Sequence, residues 1–254
     1  MDAETPQTPE LSLPQAFLLL ATNDKDGKPE VPVFVLRTTV AGAVLAELEL
    51  AGALTLQGKR IRATGSVPPP DFQHELELIR GKSRPHTPKR WVAMLEGRAL
   101  VQRIYETMAS RGIVEQVGER HLGLFRSTRY PEKDHGPEAA LLQQLEAALR
   151  VVLPSGAASG TAGAAVPDTG AAAAGGAGVP AETPGAATAG AAAGSDARTT
   201  ALIALLHAAG RLGKLFPAAD RVRADELAKD YWPARAVEDE LRLIRLAQEE
   251  AATL

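Results

Sequence analysis

The sequence predicts a mostly α fold: a single helical-bundle domain carrying two β-hairpins in winged-helix-like units and interrupted by a long disordered Ala/Gly insertion. Three observations predict it. Aromatic residues make up only 4% of a chain that is 45% hydrophobic, so the core is built from Leu, Val, Ala and Ile, most of which favour helix. Apolar residues recur at three- and four-residue spacings through most of the chain. Two short stretches, ALTLQ-GK-RIRATG and EQVGERHLGLF, follow a helix that ends in glycine and read as strand, turn and strand.

Taken in order, residues 1 to 10 hold two prolines among small polar and acidic residues and are expected to be a disordered tail. LSLPQAFLLLATN opens the fold with Ser12 as N-cap, Pro14 in the first turn and Phe17, Leu18 and Leu20 on an apolar face. Asn23 to Gly27 turns the chain. A second helix is expected from Thr38 or Thr39, with Val40, Val44, Leu48 and Ala51 on one stripe and Gly52 in the left-handed position that ends it. The first hairpin turns at Gly58-Lys59, with Leu54, Leu56 and Ile61 inward. Asp71 then caps a helix holding Phe72, Leu76 and Ile79.

From Lys89 to Pro131 a basic helical segment leads into the second hairpin. Val92, Leu95, Val101, Ile104, Tyr105 and Met108 form its apolar face, and Trp91 shares that face with Leu95. PEAALLQQLEAALRVVL is an amphipathic helix aligning Leu141, Leu145, Leu149 and Val152. Residues 154 to 196 form a low-complexity Ala/Gly/Pro/Thr linker, since 155 to 196 hold only three charges and lack the bulky apolar groups that offset ordering entropy. TTALIALLHAAGRLGKLF resumes the fold as a buried helix, and the last helices include Leu241, Ile244 and Leu246. Residues 11 to 153 and 197 to 254 are therefore expected to form one domain.

Charge narrows the function. Between Arg80 and Arg129 there are eleven Lys or Arg against four Glu, inside a chain of net charge -3, and that asymmetry points to an anionic partner. No cysteine is present, which removes disulfides and thiolate chemistry. The five histidines form no HExxH or HxH pair, and His207 reads as a core residue. Glu47 and Glu49 fall on different sides of their helix, and neither a Walker loop nor a G-x-S-x-G elbow occurs. Catalytic residues, metal ligands and cofactors are accordingly expected to be none, and the protein is expected not to be an enzyme. No run approaches the roughly 18 apolar residues that cross a bilayer. A cytoplasmic protein, able to dock on the cytoplasmic face of a membrane, is the expectation.

LSLPQAFLLLATNDKDG, GAVLAELELAGALTL, RWVAML, IYETMASRGIV, HLGLF and Tyr130-Pro131 together resemble the Golgi phosphoprotein 3 family in order and spacing. The resemblance covers about residues 11 to 152 and 198 to 250. It implies a helical fold around a central buried bundle with a protruding hairpin, and a peripheral membrane protein that binds phosphatidylinositol 4-phosphate through basic residues. Counting back from Arg111-Gly112-Ile113, Arg98 falls on one basic headgroup residue of the family. Val101 falls where a second is expected, with Arg103 as a nearby substitute. The family's arginine and tryptophan in the loop before the second helix fall on Ala41 and near Pro32, which leaves Arg37 to reach across. The lipid-headgroup residues implied are thus Arg98, Arg103 and Arg37. Leu122, Leu124 and Phe125 on the hairpin are expected to serve membrane contact or homo-oligomerisation. An anionic phospholipid, phosphoinositide or other, is the expected partner. Alanine and arginine usage is that of a GC-rich genome, and a bacterial member is expected. Two other readings stand beside this one: a winged-helix-like nucleic-acid binder using Arg98, Gln102, Arg103 and Arg111, and a protein-interaction scaffold. Nucleic acid is disfavoured by the negative net charge.

Overall fold

The computed structural model describes residues 10–66, 70–121, 125–150, 185–218 and 221–252. Helix α2, Val33–Leu50, is the element the others pack on. Every residue from Thr38 to Leu48 is buried, including the polar Thr38, Thr39 and Glu47. A helix enclosed on all sides has no solvent face to show in its sequence. Its neighbours are α1 (Leu13–Leu20), α4 (Pro88–Leu95), α5 (Arg98–Ser110), α7 (Gly185–Ala208) and α10 (Trp232–Ala252). Gly42 lies where α2 meets α10, and a Cβ there would collide with Val237 Cγ2.

Ser12 is the N-cap of α1, and its backbone N–H donates to Gln15 Oε1 at 3.1 Å. The next orphan donor of that helix end, Leu13 N–H, reaches Glu47 at 2.7 Å. Glu47 also takes both Nη atoms of Arg198 at 2.8 and 3.0 Å, so one carboxylate of α2 joins α1 to α7. Helix α2 starts at Val33, earlier than the periodicity suggested. Val35 and Leu36 are buried in the common core, and that burial supports helix from directly after Pro32. Gly52 has φ +68°, the left-handed closure expected of it.

Strands β1 (Leu54–Gln57) and β2 (Arg60–Ala63) pair with Leu56 opposite Ile61 across Gly58. A 3-10 turn at Pro70–Phe72 leads into α3, Gln73–Arg80, whose Leu76 and Ile79 are buried with Phe72. The basic segment is two helices, not one. Glu96 and Gly97 are extended between α4 and α5, Gly97 being a poor helix former and the Glu96 carboxylate accepting Thr38 Oγ1 at 2.7 Å. Trp91 is 1% exposed, a core residue, with His86 edge-on to it.

Strands β3 (Val117–His121) and β4 (Phe125–Arg129) form the second hairpin, followed by α6, Gly136–Arg150, with Leu145 and Leu149 buried. The 154 to 196 linker lies outside the described residues as far as 184. Its last twelve residues are helical as the start of α7, which the high helix propensity of alanine favours once 201 to 206 are packed. Short α8 (Leu212–Leu215) and α9 (Arg221–Ala228) precede α10, where Leu241 is buried but Leu246 is 49% exposed, against expectation. One hydrophobic cluster runs from Leu11 to Leu241 and takes side chains from both sides of the linker.

Candidate anion-binding pocket

Three of the eleven basic residues between Arg80 and Arg129 have their side chains engaged within the fold. Arg80 donates to the carbonyls of Thr64 and Ser66. Arg111 donates to Gln15 Oε1 at 2.9 Å and to the Glu10 carbonyl. Arg103, expected to face a headgroup, instead donates to the Asp71 carbonyl at 2.7 Å and to the Glu75 carboxylate at 2.5 Å. Glu75 is 5% exposed, and a buried carboxylate holds the nearest guanidinium firmly.

Arg37 and Arg98 behave differently. Neither makes a hydrogen bond or ion pair among the described residues, and both line one pocket of about 350 Å³. Its walls come from the turn after α1 (Gly27, Pro29), the first turns of α2 (Val33, Leu36, Arg37), one face of α5 (Arg98, Val101, Gln102, Tyr105) and the strand end at Thr128 and Tyr130. Arg37 therefore sits on a helix rather than in the loop assigned to it by sequence, one turn after the exposed Val33 at the pocket rim. Arg98 is exposed and is the first residue of α5. No acidic residue occupies that first turn, so the positive end of the helix dipole adds to the guanidinium.

The pocket floor is aromatic. Tyr105 and Tyr130 stack with ring centroids 4.3 Å apart and planes 2° from parallel. Thr22 Oγ1 donates to the Leu18 carbonyl at 2.7 Å, which leaves it to accept from the Tyr105 hydroxyl at 2.5 Å. Burial pushes Tyr105 up to about 12, so its ring stays neutral. The Tyr130 hydroxyl is buried with no hydrogen-bond partner among the described residues. Burial raises its pKa, Glu106 raises it further, and the nearby positive charge of Arg98 pulls it back.

The turn is held to the strand end by main-chain bonds. Tyr130 N–H donates to the Gly27 carbonyl at 3.2 Å and Glu132 N–H to the Asp24 carbonyl at 2.9 Å. Gly27 has φ +64°, and a Cβ there would overlap the Tyr130–Pro131 peptide. The site thus joins two segments about a hundred residues apart in sequence.

Of the hairpin residues singled out by sequence, Leu122 and Leu124 lie outside the described residues, as does the side chain of Phe125, which opens β4. His207 is not enclosed in the core. It is partly exposed and contacts Asp225 at 2.8 Å and Glu238 at 3.7 Å, linking α7 to α9 and α10. Sequence reasoning missed Tyr130 and Tyr105 as pocket residues and weighed Gln102 only as a nucleic-acid contact. The 98, 101/102, 105 spacing could have marked two of them, since those positions share a helix face with Arg98. A second pocket, about 320 Å³ between α1, α6 and α7, contains Arg198, but that guanidinium is already held by Glu47.

No helix among the described residues is long and apolar enough to cross a membrane. The chain matches no curated protein. The Golgi phosphoprotein 3 (GPP34) family model matches residues 13–244, which takes in every wall of the arginine pocket and the helices on both sides of the Ala/Gly tract. The chain belongs to the Golgi phosphoprotein 3 family.

Proposed function

We propose that the chain is a peripheral membrane protein, not an enzyme, and that the pocket between α2 and α5 binds the phosphate of an anionic phospholipid headgroup. Phosphatidylinositol 4-phosphate is the candidate named by family resemblance. One observation carries the reading: Arg37 and Arg98 line a single pocket with no carboxylate of the described residues paired to either. A guanidinium presents a planar fork of donors that suits phosphate oxygens and stays charged at any working pH. The unpartnered Tyr130 hydroxyl offers another donor, and Val33, 54% exposed at the rim, offers apolar contact with acyl chains.

The affinity expected is moderate. Each basic side chain near an anionic leaflet contributes about 1 kcal/mol, and the attraction is screened by salt. Co-sedimentation with phosphatidylcholine vesicles, with and without phosphatidylserine or phosphatidylinositol 4-phosphate, tests the proposal. Binding that requires the anionic lipid and weakens in Arg98→Ala supports it. Binding indifferent to lipid charge, or unchanged in the Arg37→Ala, Arg98→Ala double variant, refutes it. The nucleic-acid reading is weaker because Arg103 and Arg111, two of its four contact residues, are engaged within the fold.

A further inference from the structure

The first hairpin carries a second concentration of positive charge, beyond the end of α2 that lies away from the arginine pocket. Arg37 and Leu50, the last residue of α2, are about 20 Å apart along the helix at a rise of about 1.5 Å per residue, and β1 begins just beyond. Lys59, Arg60 and Arg62 come from the β1–β2 ribbon, and Arg80, Lys82 and Arg84 from the end of α3 and the loop after it; all six are exposed. The loop runs beside β2. Ile61 N–H donates to the His86 carbonyl at 2.9 Å, Arg60 to the Pro85 carbonyl at 2.5 Å, and Arg80 to the carbonyls of Thr64 and Ser66. Carbonyl acceptors leave the guanidinium charge in place, and among the described residues no carboxylate pairs with any of the six. Lys89 and Arg90, the next bases along the chain, act on Glu240 of α10 instead. Of the three acids between Lys59 and Arg90, Glu75 is held by Arg103, which leaves Asp71 and Glu77 against eight bases.

A second feature is independent of charge. Thr55 lies opposite Arg62 and Leu56 opposite Ile61, and just before them the Thr64 N–H donates to the Ala53 carbonyl at 2.9 Å. Antiparallel bonds alternate, so Thr55 and Gln57 turn their N–H and C=O toward β2, whereas Leu54 and Leu56 turn theirs away. Ile61 likewise turns outward on the far side, where His86 meets it. The loop thus covers the outer edge of β2, but among the described residues nothing pairs with the outward N–H or C=O of Leu54 or Leu56 on β1. A strand edge with open donors and acceptors is a template for another strand. Paired residues share a face, so Thr55, Gln57, Arg60 and Arg62 lie together on the solvent side while Leu54 and Ile61 are buried.

We propose that this ribbon docks an acidic polypeptide segment in extended form, which adds to the open edge of β1 and sets carboxylates on alternate residues beside the basic face. Main-chain bonds to the edge hold the segment, and the alternate side chains select it. The added strand lies about 5 Å from β1 and about 10 Å from β2, a gap that a glutamate and an arginine reaching toward each other can span. Nucleic acid fits this edge less well, because phosphate oxygens only accept hydrogen bonds and the edge presents carbonyls as often as N–H groups. A bilayer also fits less well, since the ribbon has no large apolar side chain exposed for insertion. The ribbon and the arginine pocket share no residue, so the two partners do not compete.

The test titrates the full chain into a fluorescein-labelled ten-residue peptide alternating glutamate and valine and follows fluorescence anisotropy. No lipid is present, so the result stands whether or not the arginine pocket takes a headgroup. The expected result is saturable binding that weakens about tenfold or more in the Arg62→Glu, Arg84→Glu double variant. A peptide of the same sequence with every backbone nitrogen methylated keeps its charge and loses its donors, and it is expected to bind about tenfold more weakly or worse. No binding, binding unchanged in the double variant, or equal binding of the methylated peptide overturns the proposal. So does a single-stranded oligonucleotide or a phosphatidylserine vesicle that binds where the peptide does not and is lost in the double variant, which gives the ribbon to that partner. Arg62 and Arg84 are exposed and make no hydrogen bond or ion pair among the described residues, so the variant is expected to keep the native Tm. Should it not, Lys59→Glu, Lys82→Glu decides by the same readouts.

Discussion

At the C-terminal end of α2, Glu47 is buried against Arg198 and the backbone of α1; at its N-terminal end, Arg37 shares a pocket with Arg98 and no described carboxylate pairs with either. The same helix thus carries a charge compensated from within the fold and a charge available to a ligand. The first kind reports on stability and the second on binding. Substitutions at the two ends should therefore separate these properties, and the predictions run from the most to the least disruptive.

Arg198→Ala strands Glu47 in the core, and breaking a buried pair by removing one partner costs about 3–5 kcal/mol. With Glu47 at 6% side-chain exposure but Arg198 at 29%, the lower end is expected. Thermal unfolding should show a Tm lower by roughly 6–12 °C. The Glu47→Leu, Arg198→Met pair should recover most of that loss; no recovery would mean that the packing of α7, not the charge, was lost.

Gly27→Ala sits between the two regimes. The left-handed backbone and the close Tyr130–Pro131 peptide require the turn to move, at a cost of more than about 1 kcal/mol. Because Gly27 also lines the pocket, both Tm and vesicle binding should fall, whereas the Arg198 variant should lower Tm alone at temperatures where it remains folded.

Arg103→Ala sharpens the contrast further. It frees Glu75, and since Arg103 is 41% exposed the loss should be modest, about 1–2 kcal/mol by denaturant unfolding, with vesicle binding unchanged. Reduced binding at unaltered stability would bring Arg103 back among the headgroup contacts. Finally, Arg98→Ala and Arg37→Ala should each lower vesicle partitioning about fivefold, equivalent to about 1 kcal/mol, and leave Tm close to that of the native chain. Raising the salt concentration should shrink that fivefold difference, as screening requires.

These contrasts also show what a linear reading can reach. Helix α1 with its Ser12 cap, Gly52 as a helix terminator, the Gly58 hairpin and the core role of Trp91 were legible because each rests on neighbours within a few residues. The start of α2 and the break at Glu96–Gly97 were not, because both depend on partners far along the chain, including Thr38 bonding to Glu96. Arg98 was reached through family spacing and Arg37 only as a residue within reach, and it is the structure that lines one pocket with both. Tyr130 leaves no periodic trace, since it reaches the pocket from the end of β4, outside the helices that carry the arginines.

By itself the sequence determined a helical, aliphatic, cysteine-free protein of a recognisable family, with a local excess of basic residues over a long stretch. Only the tertiary structure decided which basic residues, inside that stretch or outside it, are available to a ligand. A count of charges adds up residues regardless of partner, whereas availability depends on distances of a few ångströms: Arg103 and Arg111 meet acceptors folded beside them, and Arg37 and Arg98 face a pocket instead.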